Sequence, residues 1–217
     1  MGNIYIIIEI ILAYMIGSIP TAVWVGKGFY KIDVRQHGSG NAGATNVIRV
    51  LGYKAGIPVL LFDVFKGWFA VQLMKIFPHE FLSADAQIYL MITLAICAFL
   101  GHVFPLFAGF RGGKGVGTLA GVGIAFFPIA LLIVLVIFIF TLTVTRYVSL
   151  SSILGGLSFP LIVVFITGES NPGLIGLSIL VAVFIPLTHW KNIKRLLKGE
   201  EKRFDFKRKA REEPKLK

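Results

Sequence analysis

Residues 115–145 read GVGTLAGVGIAFFPIALLIVLVIFIFTLTVT, an apolar run that contains no charged side chain. A helix needs about 20 such residues to cross the hydrocarbon core of a bilayer, so the run is too long for one ordinary crossing. Pro128 lies within it, and proline either interrupts a helix or begins a new one. The run therefore predicts two consecutive transmembrane helices, one ending near residue 126 and one over 128–145. The first of these is short, and we expect it to be tilted, re-entrant or buried against its neighbours.

Five more apolar segments lie on either side of this run: 4–24, 56–77, 86–107, 148–168 and 173–190. The chain of 217 residues is 56% hydrophobic and only 15% charged, whereas soluble domains carry roughly 25% charge. The sequence thus predicts an all-α polytopic membrane protein with seven transmembrane helices and a short or tilted fourth helix. We expect a single integral-membrane domain over 1–203, followed by a basic, disordered tail over 204–217.

The basic residues predict how these helices are oriented. Of the 22 Lys and Arg residues, all but Lys66 and Lys75 fall in four segments. These segments are 25–55, 109–114, the single position 146, and 191–217. Seven spans put all four segments on one side, and cytoplasmic loops of membrane proteins carry the excess of Lys and Arg. We therefore expect the N-terminus outside and the C-terminus in the cytoplasm.

Four polar clusters interrupt the apolar sequence, and all of them fall on the predicted cytoplasmic side. They are HGSGNAGATNVIRVLG at 37–52, GFRGGKGVGT at 109–118, RYVSLSS at 146–152 and HWKNIKRLLKGEEKR at 189–203. Loops that converge on one face of a scaffold commonly build a binding or catalytic site. We therefore expect the four clusters to share one site.

The glycines of the first two clusters resemble nucleotide-binding loops but do not fit them. Gly38, Gly40 and Gly43 match GxGxxG, yet that fingerprint requires a strand and a βαβ unit, and this chain is helical membrane sequence. The second cluster has Ala108 where a Walker A loop has its first glycine, and Gly115 where it has Ser or Thr. What the glycines still predict is an anion site, because they let backbone N–H groups approach a phosphate closely.

Side-chain donors and positive charges accompany these glycines. The candidates are Ser39, Asn41, Thr45, Asn46 and Arg49 in the first cluster, and Lys114 in the second. A helix that starts near 41–44 would add its N-terminus as a further attraction for phosphate. The plainer alternatives are a Gly/Asn/Ser-rich turn for the first cluster and positive-inside anchors for the second.

Polar residues in or near the spans complete the candidate site. His189 and Asn192 are three residues apart, on one helix face, where His189 could act as a general base, bind phosphate or anchor the helix at the interface. Asp63 and Lys66 have the same spacing inside the second span, and they predict either a structural ion pair or a direct substrate contact. No cluster of His, Cys, Asp and Glu suggests a metal site.

From about residue 13 to residue 203 the chain resembles the bacterial PlsY-type acyl-phosphate:glycerol-3-phosphate acyltransferase family. The motifs that carry the resemblance are GSIP, GSGNAGATNVIRVLG, GHVFPLFAGFRGGKGVGT, RYVSLSSI and HWKNIKRLLKGEE. The resemblance implies that a fatty acyl group passes from acyl phosphate to the sn-1 hydroxyl of glycerol 3-phosphate. The products are lysophosphatidic acid and inorganic phosphate, in the first acylation of bacterial phospholipid synthesis.

The resemblance also implies where the protein works and with what. The site faces the cytoplasm at the bacterial inner membrane, and the reaction uses no metal or other cofactor. The expected partners are acyl phosphate, glycerol 3-phosphate, the lipid bilayer and the soluble enzyme that supplies acyl phosphate, and no nucleic acid is involved.

The candidate site combines residues from the motifs with those from the charge and donor arguments. The expected catalytic residues are His189, Asn192, Ser39 and Arg49. The expected substrate-binding residues are Gly38, Gly40, Asn41, Thr45, Asn46, Lys66, Gly112, Gly113, Lys114, Gly115, Gly117, Ser149 and Ser152. By the resemblance, the glycine-rich second motif binds glycerol 3-phosphate, and Glu201 matches a glutamate with a structural role.

The identity of the base and one rival function stay open. Acyl phosphate is a mixed anhydride with a good leaving group, so a hydroxyl can attack it directly while cations stabilise the developing charge. The proton then goes to His189 or to a phosphate oxygen of the substrate. A transporter for a phosphorylated anion would also need basic loops, but the chain shows no convincing internal repeat and its polar clusters lie at one face.

Overall fold

The computed structural model describes residues 2–206, and within that range the chain is all-helical, with ten α-helices and no strand. The helices are α1 Gly2–Gly17, α2 Thr21–Tyr30, α3 Ala44–Leu51, α4 Tyr53–Gln72, α5 Ala84–Val103, α6 Val116–Phe126, α7 Pro128–Thr145, α8 Val148–Leu161, α9 Pro172–Thr188 and α10 Trp190–Leu197. A π-helical turn, Ile162–Ile166, continues α8. The predicted all-α class is confirmed.

Length and apolar composition make this an integral membrane protein. In the part of the chain that the structure describes, four helical segments are long and apolar enough to cross a bilayer: Tyr53–Lys75, Ala84–Ala108, Pro128–Thr145 and Val148–Ile166. Two bent pairs, α1 with α2 and α9 with α10, raise the number to six if each pair is one span. The short apolar helix α6 is separate from these. The total of seven spans and the orientation of the termini stay predictions.

The first predicted span, 4–24, is not one continuous helix. α1 ends at Gly17 and α2 begins at Thr21, with a bend of 45° between them. Pro20 explains the break, because its ring clashes with the carbonyl four residues earlier and it has no N–H to donate. The break leaves carbonyls without helical partners, and the ammonium of Lys66 donates to one of them, Ile19 O, at 3.1 Å.

The predicted short helix at the start of 115–145 is confirmed as α6, and it packs closely on α4. α6 ends just before Pro128, which is the first residue of α7. A side chain added at Gly121 would collide with the carbonyl of Val64, and one added at Gly67 would collide with that of Thr118. Small residues that let two backbones touch are typical of helix contacts in membranes. The close packing on α4 thus stabilises α6, which has only 11 residues and is too short for an ordinary crossing of the bilayer.

α4 lies centrally, in contact with α1, α5 and α6, and the site develops where several helices end. The loop 104–115 joins α5 to α6, α8 begins nearby, and α9 gives way to α10. The chain then folds back, so that Phe204 N donates to Arg146 O at 2.6 Å and the Phe204 ring packs edge-on against Tyr53. Of the tail predicted to be disordered, residues 207–217 lie outside the described residues.

Candidate functional site

The carboxylate of Glu201 is the centre of a hydrogen-bond network that joins α8 to α10. Oε1 accepts from Ser149 Oγ at 2.7 Å and from Asn192 Nδ2 at 2.6 Å, and Oε2 accepts from Arg195 Nε at 2.8 Å. Burial alone would raise the pKa of Glu201, but the hydrogen bonds from Asn192, Ser149 and Arg195 lower it. The residue expected to be structural therefore orients two predicted site residues at once.

Lys114 connects this network to the glycine-rich loop. Its Nζ donates to Asn192 Oδ1 at 2.6 Å, which leaves Asn192 bonded to Lys114 on one side and to Glu201 on the other. The pKa of Lys114 is lowered to about 8, chiefly by burial; the carboxylate of Glu201 opposes this shift, and the positive charges of Arg195 and Arg49 add to it. Two further cations thus lie close enough to act on Lys114, an arrangement that an anionic ligand stabilises.

The glycines of the second cluster serve close packing in addition to any contact with substrate. The N–H groups of Gly112 and Gly113 donate to Val103 O and His102 O, each at 3.2 Å, so α5 already uses them. A side chain at Gly113 would collide with the His102 ring. Gly115 adopts a φ of +81°, which favours glycine, just before α6 begins. The expectation that Gly112 and Gly113 offer exposed N–H groups to a phosphate is therefore not met in this structure.

The first cluster forms a loop that is organised by Asn46. Its Oδ1 accepts from Ser39 N at 2.8 Å, and its Nδ2 donates to Val34 O at 2.8 Å and to His37 O at 3.1 Å. α3 begins at Ala44, as expected for this cluster. The buried amide of Asn46 is thus engaged with the loop backbone, a bracing role that the sequence did not indicate.

The remaining predicted residues of the first cluster follow this loop and the helix after it. Gly38 and Gly40 have φ values of +65° and +75°, a conformation that glycine adopts without strain. Ser39, Asn41, Thr45 and Arg49 are all partly exposed. Arg49 is on the last turn of α3, and its charge reaches Lys114. The structure therefore brings the first and second clusters together.

A residue that the sequence analysis missed, Arg35, ties these two clusters to each other. Its guanidinium holds both carboxylate oxygens of Asp33, with contacts of 3.0 Å and 2.8 Å, and lowers the pKa of that carboxyl. Its Nη1 donates across to Ala108 O at 2.7 Å and to Arg111 O at 3.4 Å. Nothing in the local sequence distinguishes Arg35 from the other basic loop residues as a link between clusters, because the carbonyls that it reaches in the second cluster lie about seventy positions away.

His189 is buried beside the network, with 2% of its surface exposed. Its Nδ1 donates to Ile185 O at 2.8 Å, so the lone pair of the neutral ring is on Nε2. The charge of Lys114 is close enough to act on the ring. The expected pair of His189 and Asn192 is thus brought to the same place as Lys114.

The ion pair predicted inside the second span is present and fully buried. Lys66 Nζ contacts Asp63 Oδ1 at 2.7 Å, and His102 Nδ1 lies 3.6 Å from the same oxygen. Because the Lys66 ammonium also donates to Ile19 O, its contacts favour the structural reading over a substrate contact. Gly117, in the first turn of α6, lies against Asp63.

An apolar cavity of about 90 Å³ opens next to the polar network, between α6, α7, α8 and α9. Ser152 and Gly156 line it on α8, and Ile185, whose carbonyl holds His189, lines it on α9. Ser152 Oγ itself donates to Val148 O at 3.0 Å. The arrangement therefore combines a cationic polar site with an adjoining apolar space.

Among residues 2–206 no group of three or more His, Cys, Asp or Glu could hold a metal ion.

Comparison with known proteins gives a consistent result. A family model described as Glycerol-3-phosphate acyltransferase matches residues 7–199. The chain is 46% identical over 199 residues to the glycerol-3-phosphate acyltransferase of Listeria monocytogenes serovar 1/2a, covering 92% of this chain and 96% of that one. It is 42% identical over 224 residues to the protein of the same name from Chlorobaculum tepidum, covering 92% and 97%.

Two solved structures share the fold. They are crystal structures of PlsY (YgiH), an integral membrane glycerol 3-phosphate acyltransferase, in a glycerol 3-phosphate form and in a lysophosphatidic acid form. Each has a TM-score of 0.79 and 33% identity and covers 92% of this chain, which matches 96% and 95% of the two solved chains respectively.

Proposed function

The chain belongs to the glycerol-3-phosphate acyltransferase family and is an acyltransferase, and from this premise we propose that it acylates the sn-1 hydroxyl of glycerol 3-phosphate with acyl phosphate as the donor. The products are lysophosphatidic acid and inorganic phosphate, in the first acylation of bacterial phospholipid synthesis. One observation carries the proposal: residues of three polar clusters share one hydrogen-bond network around Lys114 and Glu201, and the charge of Arg49, from the remaining cluster, acts on Lys114.

The charges of this network suit a reaction in which both substrates carry phosphate. The ammonium of Lys114 lies within reach of the charges of Arg195 and Arg49 and of the carboxylate of Glu201. Cations in a partly buried site attract phosphate and stabilise charge that develops on a carbonyl oxygen or a leaving phosphate. We assign glycerol 3-phosphate to the side of Lys114, in agreement with the role that the resemblance gives to the second motif.

The chemical step is a direct acyl transfer. The sn-1 hydroxyl oxygen attacks the acyl carbon, a tetrahedral intermediate forms, and the bond between the acyl carbon and the bridging oxygen breaks as phosphate leaves. His189 Nε2 carries a lone pair, so it accepts a hydrogen bond from the hydroxyl and orients it. We propose that the proton passes to a phosphate oxygen of the substrate, because a second positive charge on the buried His189 beside Lys114 is unfavourable.

The apolar cavity gives the acyl chain a place next to this chemistry. It begins at Ser152, one turn along α8 from Ser149, and extends past Gly155 and Gly156. A side chain at Gly156 would collide with Ile185, so the glycines keep α8 and α9 close without filling the cavity. We propose that the acyl chain of the donor lies here, between α6 and α9.

The topology and location follow from the distribution of charge. We propose seven spans in one domain, with the N-terminus outside, the site facing the cytoplasm of a bacterial cell at the inner membrane, and the soluble enzyme that makes acyl phosphate as a partner on that side. Replacing Cys97 by Ala and placing single cysteines at Ser170 and at Lys202 tests the orientation. An impermeant thiol reagent added to intact cells should label only the cysteine at position 170. Labelling of Lys202→Cys would show that the topology is the reverse of the one proposed.

The function is tested with purified protein, labelled glycerol 3-phosphate and three donors. Acyl phosphate should give lysophosphatidic acid, with one phosphate released per molecule of product. Acyl-CoA and the fatty acyl thioester of acyl carrier protein should give no lysophosphatidic acid. A protein that keeps its fold yet forms no lysophosphatidic acid from acyl phosphate would refute the proposal. If only acyl-CoA gave lysophosphatidic acid, the protein would still be a glycerol-3-phosphate acyltransferase, but acyl phosphate would be the wrong donor.

A further inference from the structure

The helix α10 has one face directed at the site and another with no partner among residues 2–206. Asn192, Ile193, Arg195 and Leu196 are buried or half-buried. The residues on the other side are exposed: Trp190, Lys191, Lys194, Leu197 and Lys198. At about 100° per residue these five positions form one continuous stripe along the helix. We call this stripe the outer face of α10.

The outer face has the composition of a helix that lies at a membrane surface. Trp190 is 57% exposed and Leu197 is 84% exposed, and they sit on one edge of the stripe. Lysines occupy the other edge, and Lys194 Nζ lies 5.2 Å from the centre of the Trp190 ring. Tryptophan, an exposed leucine and lysines on one face are typical of an amphipathic helix in the interface between headgroups and acyl chains.

The direction of α10 supports this placement. The helix is bent by 61° relative to α9. A transmembrane helix tilts from the bilayer normal by about 20° on average. If α9 crosses the bilayer in this way, α10 turns towards the membrane plane just after His189, at the depth where headgroups begin.

We propose that the outer face of α10 binds the anionic phospholipid headgroups of the leaflet next to the site. Lys191, Lys194 and Lys198 supply the charge complementarity, since residues 190–198 contain no acidic side chain. Polybasic segments next to a membrane span are attracted to anionic lipid in this way. Trp190 and Leu197 set the depth of the helix by entering the apolar boundary.

The same helix carries two residues of the polar network, which links the lipid surface to the site. Asn192 contacts Lys114 and Glu201, and Arg195 contacts Glu201. Rotating or lifting α10 would move both residues relative to Lys114. Bound anionic lipid therefore keeps Asn192 and Arg195 in position relative to Lys114. The effect on turnover rests on the proposed function, whereas the binding of lipid does not.

Lipid binding is tested by fluorescence quenching without any activity measurement. In the background W24F/W68F the only remaining tryptophan is Trp190. The protein is placed in bilayers of phosphatidylcholine mixed with brominated phosphatidylglycerol or with brominated phosphatidylcholine. We expect Trp190 to be quenched with at least about a fivefold preference for the anionic lipid. Equal affinity for the two lipids would overturn the proposal and leave the outer face to an acidic protein partner.

Matched variants show which charges are responsible. The variant K191Q/K194Q/K198Q should lose the preference, and K191R/K194R/K198R should keep it. The control K31Q/K54Q/K75Q removes the same number of charges from exposed lysines on other elements and should keep the preference. Loss in the control as well as in the α10 variant would show a general charge effect and would contradict a site on α10.

The coupling to the site is measured as turnover in the same bilayers. For the protein with intact α10, kcat/KM should rise several-fold when phosphatidylglycerol is added to phosphatidylcholine, and K191Q/K194Q/K198Q should not respond. Lipid preference with unchanged turnover in both bilayers would overturn the coupling. A protein that binds anionic lipid but never forms lysophosphatidic acid would refute the proposed function and leave lipid binding standing.

Discussion

Lys114 is the side chain that joins the glycine-rich loop to the Glu201 network, so replacing it is the most direct single-residue test of the site. We expect Lys114→Gln to raise KM for glycerol 3-phosphate and to lower kcat/KM by about 10- to 100-fold. The reason is that hydrogen bonds to charged groups contribute about 1.5–3 kcal/mol. Steady-state kinetics at varied glycerol 3-phosphate measure both changes.

Arg111→Gln is the matched control for this change. Arg111 lies three positions earlier in the same loop, is exposed, and carries the same charge. Its replacement should leave kcat/KM within about twofold, as is usual for exposed side chains. Equal losses in the two variants would mean that overall loop charge, and not the Lys114 contact, attracts the substrate.

The lowered pKa of Lys114 predicts a pH dependence with a definite sign. Burial brings this pKa to about 8, so the ammonium is charged below pH 8 and loses its charge as the pH rises above 8. We expect kcat/KM for glycerol 3-phosphate to fall on the alkaline side of about pH 8. The Lys114→Arg variant should lack this fall, because a guanidinium stays charged there. The same alkaline fall in both proteins would assign it to another group.

Between elements, the tie from Arg35 to the carbonyls of Ala108 and Arg111 holds the first two clusters together. We expect Arg35→Gln to lower kcat/KM by about tenfold through a misplaced loop, since displacements of about 1 Å can cost up to 100-fold. Asp33→Asn should have a similar effect, and the double variant should be no worse than either single one. Kinetics of the three variants measure this coupling.

Lys27→Gln provides the control for the Arg35 tie. Lys27 contacts the same carboxylate of Asp33 at 3.4 Å, but its side chain is 58% exposed. Its replacement should change kcat/KM little. A loss as large as that of Arg35→Gln would show that the charge around Asp33 matters and the link between the loops does not.

The contact between α4 and α6 gives a prediction about stability. Gly121→Ala places a methyl group against the Val64 carbonyl, and overpacking of this kind costs about 1–3 kcal/mol. We expect a lower midpoint of thermal unfolding in detergent. Gly176→Ala, in α9 with nothing within 4 Å of the added carbon, should be neutral or slightly stabilising because alanine favours helix. Similar midpoints for the two variants would contradict the close contact.

Across the whole molecule, local patterns predicted the elements better than the contacts between them. The apolar run and Pro128 predicted α6 and α7, and the spacing of Asp63 and Lys66 predicted their ion pair. Pro20 was overlooked as a helix break, although its physical effect is local and could have been recognised. These features need only neighbouring residues along the chain.

The features that escaped prediction are long-range. The Arg35 tie and the pairing of Gly112 and Gly113 N–H groups with α5 carbonyls depend on how loops meet after folding. Asn46 was predicted only as a donor to substrate, and the bonds by which its amide braces the first loop were not predicted. A glycine-rich sequence predicts close backbone approach without saying whether the partner is a phosphate or another part of the protein.

The central claim is that the sn-1 hydroxyl oxygen of glycerol 3-phosphate attacks the acyl carbon of acyl phosphate at the site that the four clusters form. The most direct test uses glycerol 3-phosphate labelled with ¹⁸O in that hydroxyl, with mass spectrometry of the products. The account predicts lysophosphatidic acid with the ¹⁸O in its ester bond and unlabelled inorganic phosphate. Label in the released phosphate, an ester at the sn-2 position, or free fatty acid without lysophosphatidic acid would contradict it.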